Sequence, residues 1–138
     1  MRSGPEPART LFRFALAAVY APFGLLHVLA SKAFLPIMPP LIPAPQAVVV
    51  VTGLCEIAGA AGLLVPHTRK AAGVALALYA VCVWPANIYH AVAHRHVPPL
   101  PDSWWYHGPR LAFQPVFVWW ALFAGGAIDW PWRRKGEA

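Results

Sequence analysis

Residues 46–65 read QAVVVVTGLCEIAGAAGLLV, twenty positions with one Glu and no Lys, Arg or Asp. At about 1.5 Å per residue a helix of this length covers about 30 Å, the thickness of a bilayer's hydrocarbon core. A core helix of a soluble domain would show a polar face, and none runs through this window. The alternation that marks a membrane strand is missing too. The stretch therefore predicts a transmembrane helix.

Three other windows share its character: residues 11–30 (LFRFALAAVYAPFGLLHVLA), 71–93 (AAGVALALYAVCVWPANIYHAVA) and 111–130 (LAFQPVFVWWALFAGGAIDW). The predicted fold is all-α, one transmembrane domain over residues 1–138, an integral membrane four-helix bundle. Composition points the same way. The chain is 59% hydrophobic with a mean hydropathy of +0.52, an apolar excess that a soluble domain of this size has too little polar surface to hide. A cleavable leader competes for the first window, because Arg2, Arg9 and Arg13 make a basic n-region and Ala30 lies before Ser31. The apolar stretch exceeds a leader's usual length and contains Tyr20, Pro22 and His27, so it is read as a span.

Basic residues set the orientation. One side of the four spans collects Arg2, Arg9, Arg13, Arg69, Lys70, Arg133, Arg134 and Lys135, the other Lys32, Arg95 and Arg110. Both termini are thus expected in the cytoplasm, and the net charge of +6 is accounted for by cytoplasmic flanks meeting anionic lipid. The connection 34–45 (FLPIMPPLIPAP) holds five prolines, which prevent regular helix, and is expected to form a rigid lid at the outer headgroup level. The connection 94–110 is wetter and carries Trp104, Trp105 and Tyr106, interface residues, with histidines readable as ordinary surface residues. Gly53, Gly59, Gly62, Gly125 and Gly126 suit close helix packing.

Chemistry is sought among the polar residues that these windows tolerate. Glu56 sits halfway through the second span, where an ionisable group costs roughly 2.5–3.5 kcal/mol and asks for a partner or a wet cavity. Tyr20, Gly24 and His27 share one face of the first span, and Asn87, His90 and His94 one face of the third, beyond the kink expected at Pro85. Arg110 and Gln114 open the fourth. The directions of the spans place all of these between the midplane and the outer leaflet, an outward-biased polar pocket. Glu56 and His27 are candidates for proton handling, and Tyr20, Asn87, His90, Arg110 and Gln114 for ligand binding; no catalytic residue is assigned. A carboxyl and an imidazole suit proton exchange with a quinone-like head group, and the alternative is that these groups only bond one another and lipid phosphates. His90, His94 and His96 have ligand-like spacing, but no cysteine pair or E-x-x-H pattern supports a metal, and none is expected. Cys55 and Cys82 form no C-x-x-C motif and are expected to be buried, with raised thiol pKa. Phosphate-loop, dinucleotide and nucleic-acid motifs are absent from the sequence.

Gly24-Leu-Leu-His27, the proline lid ending at Pro45, Thr52-Gly-Leu-Cys-Glu56-Ile-Ala-Gly59, Pro66-His-Thr-Arg69-Lys70, Trp84-Pro-Ala-Asn87-Ile-Tyr89 and Arg110-Leu-Ala-Phe-Gln114 follow one another along nearly the whole chain. As an ordered set they resemble the DoxX-like family of small bacterial four-helix membrane proteins, in the branch related to DoxD and MauE. The resemblance implies a multi-pass protein of the bacterial inner membrane, associated with quinone-linked or thiol and sulfur redox processes. Ala112 stands where that family's pattern has proline, and paired cysteines are missing, which counts against a thiol relay. Two roles follow. One is a quinone-binding subunit of a redox complex, with a quinone as the cofactor and a redox protein as partner. The other is a non-enzymatic scaffold or assembly factor whose polar residues lock the bundle. Membrane lipid is an expected partner in both, and a transport role would call for a homodimer.

Overall fold

The computed structural model describes residues 6–132. Of the residues used to orient the chain, Arg2, Arg133, Arg134 and Lys135 lie outside that range. Three long helices come first: α1 (Glu6–Leu29), α2 (Pro45–Leu64) and α3 (Arg69–Val92). Each is long and apolar enough to cross a membrane. Two shorter helices follow end to end, α4 (Trp104–Ala112) and α5 (Gln114–Gly125). α1 packs on α2, α2 on α3, α3 on α5 and α5 on α1, closing a ring of four.

Only 28%, 33% and 28% of the apolar windows of α1, α2 and α3 are buried inside the protein. The remaining surface carries Leu11, Phe14, Phe23, Leu29, Leu54 and Leu78, each more than half exposed. So much bare apolar surface on every side is incompatible with water and suits lipid. The chain is a multi-pass membrane protein built as an all-α bundle.

With lipid outside, no hydrophobic drive pushes the helices together, and contact depends on how closely backbones approach. A Cβ added at Gly24 would lie 2.6 Å from the Gly53 carbonyl, and one at Gly53 would lie 2.6 Å from the Gly24 carbonyl. α1 and α2 therefore touch backbone to backbone. Gly73 and Gly125 do the same for α3 and α5, where a Cβ on Gly73 would meet the Gly125 Cα at 2.7 Å. Leu16, Leu63, Leu76 and Phe123 fill the centre at 1% exposure or less.

The fourth span departs from the expected 111–130. Ser103 caps the helix seven residues ahead of Arg110, its side chain accepting from the Trp105 N–H at 3.3 Å, so helix begins inside the stretch read as a wet connection. Pro115, lacking an N–H, breaks the run at Phe113. Gly126, at φ 79°, then ends α5 with the Gly126 and Ala127 N–H groups turned back on Phe123 and Leu122. Part of the proline lid is also more regular than expected. Residues Ser31–Ile37 form a 3-10 helix, with Pro36 inside it, resting on α1, α2 and α3.

Two arginines read as solvated flanks are interior. Arg9 and Arg13 are 7% and 5% exposed. Arg13 Nε donates to the Ala124 carbonyl at 3.0 Å, and Arg9 Nε to the Phe123 carbonyl at 3.0 Å. Arg9 also reaches the Ile128 carbonyl at 3.1 Å and Asp129 Oδ1 at 2.5 Å. The last carbonyls of α5 have no intrahelical donors, and cations at that end are favoured by the helix dipole. The first helix thus caps the last.

Candidate functional site

Glu56 lies midway along α2 at 4% exposure. Tyr79 of α3 donates its hydroxyl to Glu56 Oε1 at 2.8 Å, and His27 Nδ1 of α1 lies 2.7 Å from Glu56 Oε2. Both carboxyl oxygens are engaged, which offsets the cost of keeping the group in an apolar span. The trio joins three helices. Its His27 end is 17% exposed by side chain and packs against the Phe34 ring of the 3-10 segment, centroids 4.2 Å apart. Tyr20 is buried beside it, its ring edge-on to Tyr79 at 6.0 Å and to Phe117 at 6.4 Å. Sequence reasoning paired Glu56 with His27 and overlooked Tyr79, because only the antiparallel register of α2 and α3 sets Tyr79 opposite the carboxyl.

A second polar cluster joins α3 to α4. Arg110 donates from Nη1 to His90 Nδ1 at 2.9 Å and from Nη2 to Asn87 Oδ1. A guanidinium has no acceptor, so His90 Nδ1 must be unprotonated here. His107 packs edge-on against His90 with centroids 4.7 Å apart, and its Nε2 lies 3.4 Å from Asp102 Oδ1. His107, read from sequence as a surface residue, is 2% exposed because the early start of α4 turns it inward. His94 leaves the face of Asn87 and His90. The helix ends at Val92, and His94, at φ 48°, points to Asp102 at 3.6 Å.

The single pocket expected from the sequence resolves into these two clusters. Asn87 and His90 stand eight and eleven residues beyond Tyr79 on α3, about 12 Å and about 16 Å along the axis. Gln114 lies between them in depth, donating to the Ala80 carbonyl at 2.7 Å. That carbonyl is one residue before the one that Pro85, lacking an N–H, leaves without its helical donor. Glu56, Gln114 and Arg110 have thus each found protein partners, whereas the Trp84 Nε1 and both His107 ring nitrogens are buried without a hydrogen bond.

A groove of about 620 Å³ lies elsewhere, between α2 and α3. Cys55, Ala58 and Gly59 line one wall, Ala75, Tyr79 and Cys82 the other. Both cysteines are exposed, contrary to the burial expected of them. In a membrane protein the outer surface is itself apolar, so a thiol gains little by turning inward. Among the described residues, no group of three His, Cys, Asp or Glu is placed to hold a metal ion. His90 is buried in the second cluster while His94 and His96 are exposed.

A family model described as a domain of unknown function, DUF8561, matches residues 16–125. The chain belongs to this family. The matched DUF8561 region takes in both polar clusters and the α2–α3 groove, and leaves out the Arg9 and Arg13 caps. No curated protein and no solved structure matches the chain.

Proposed function

We propose that this chain is a small membrane component of a quinone-linked redox process, in which His27, Glu56 and Tyr79 pass protons to a lipophilic molecule held in the α2–α3 groove. One observation supports this above the rest. Tyr79 lines the groove and also donates to Glu56, whose other oxygen meets His27. The groove's volume and small apolar side chains suit an isoprenoid tail, and the Tyr79 hydroxyl gives a ring oxygen a polar contact. A quinone there would supply two-electron chemistry, with electrons from a partner redox protein. The chain's own part is protonic. For a proton to move outward the Tyr79–Glu56 bond reverses: Glu56, first protonated through His27 from beneath the 3-10 segment, donates to the Tyr79 oxygen as Tyr79 releases its own proton toward the groove.

The resemblance of the ordered motifs to DoxX-like proteins favours a bacterial inner-membrane location and a redox association. The basic residues at the α2–α3 turn, Arg69 and Lys70, favour a cytoplasmic position for that turn and for both termini.

A scaffold role is the second reading, favoured by a different observation. Glu56, Arg110 and Gln114 are all bonded within the protein, which is what groups that only lock a bundle would do. Quinone extracted from protein purified in mild detergent separates the two. Near one equivalent per chain, falling severalfold in Glu56→Gln, supports the redox reading. Recovery of a partner protein with no quinone supports the scaffold.

A further inference from the structure

Among the described residues Arg110 is a cation without a counter-ion. Its two bonded partners, Asn87 and His90, are neutral acceptors, and among the described residues no carboxylate lies within ion-pair distance of it. A guanidinium carries five N–H groups, and these two bonds use two of them. Next to it, His107 is 2% exposed and neither ring nitrogen has a hydrogen-bond partner. Leaving a half-buried cation and a buried imidazole in this way is unfavourable unless something pairs with them.

We propose that Asn87, His90, His107 and Arg110 form a binding site for a phosphate anion at the membrane surface. Three unused guanidinium N–H groups and the His107 Nδ1 are the donors, and a phosphate offers several acceptor oxygens at once. Trp104 and Trp105, 57% and 92% exposed at the start of α4, put the cluster at headgroup depth, where the phosphate of an anionic lipid is at hand. The other charged or titratable groups facing the cluster leave the site cationic. Asp102 touches the Nε2 side of His107 and is shared with His94, Arg95 is bonded to Tyr89, and Arg110 lies over the Tyr106 ring at 5.7 Å. The site stands apart from the Glu56 trio and does not depend on a quinone.

The test is lipid binding to the full chain in neutral detergent, read by native mass spectrometry with phosphatidylglycerol and phosphatidylcholine. Phosphatidylglycerol is expected to bind about tenfold more tightly, and Arg110→Gln to abolish that preference while Lys70→Gln, at the opposite end of the bundle, keeps it. His107→Gln provides a second reading if Arg110→Gln does not fold, with the preference expected to drop severalfold. Competition by inorganic phosphate would show that phosphate alone suffices, and binding that phosphate does not displace would assign the site to the lipid headgroup. Equal binding of the two lipids, or a preference unchanged in both variants, would overturn the proposal.

Discussion

Tyr79 donates to Glu56 at 2.8 Å across twenty-three residues of chain, and this bond sits in the same register as two contacts nearer the α2–α3 turn. A Cβ on Gly59 would collide with Leu76 and one on Gly62 with Ala72, so the helices touch there and the carboxyl lies one turn further on. The fit of small residues thus decides which side chain meets the buried acid.

Removing that acid is expected to cost more than neutralising it. Glu56→Gln keeps an acceptor for Tyr79 and a donor for His27, whereas Glu56→Ala strands both. The alanine variant should lose about 1–3 kcal/mol more than the glutamine variant. Thermal unfolding in detergent reads the difference, and equal losses would mean that the trio does not stabilise the bundle.

Gly53→Val should separate α1 from α2. Its first added carbon would lie 2.6 Å from the Gly24 carbonyl and 2.7 Å from the His27 Cβ. Overpacking of this kind costs about 1–3 kcal/mol or more. The same unfolding assay should show a lower midpoint, while Gly108→Ala, which meets open space inside α4, should not lower it.

Much of this was legible in the sequence. The spans at 46–65 and 71–93 and the pairing of Glu56 with His27 follow from hydropathy and from the cost of a buried charge. Other features depend on tertiary placement. Arg9 and Arg13 look like cytoplasmic flanks until the end of α5 is beside them, when its bare carbonyls become better partners than water. The helices of the fourth segment, 104–112 and 114–125, differ in bounds from the expected 111–130 because Ser103 and Gly126, short-range cap signals, outweigh the apolar run that continues to Trp130. The expectation of one polar pocket came from depth alone. The outer half of a span covers several helical turns, and α3 keeps Tyr79, at the level of Glu56, about 16 Å from His90 along its axis.

Arg13→Ala should loosen the end of α5. The Ala124 carbonyl loses its donor, and a favourable cation leaves the helix C-terminus, together about 1–3 kcal/mol. Hydrogen exchange should rise in residues 121–125 and stay unchanged at the Glu56 level of α2. A uniform rise would point to global destabilisation instead.

The proposed orientation is checked by cysteine labelling in intact cells. His96→Cys, in the α3–α4 connection, should react with a membrane-impermeant maleimide, and His67→Cys, at the α2–α3 turn, should react only after lysis. The reverse pattern would place the termini outside.

The role assigned to the groove rests most directly on what it holds. Native mass spectrometry of the protein in mild detergent should show an adduct of quinone mass at stoichiometric abundance on the wild type. Ala75→Phe, which fills the groove from an exposed position one helical turn from Tyr79, should remove it without unfolding the bundle. A wild type that is bare, or that carries only phospholipid, would contradict the quinone role and leave the scaffold in its place.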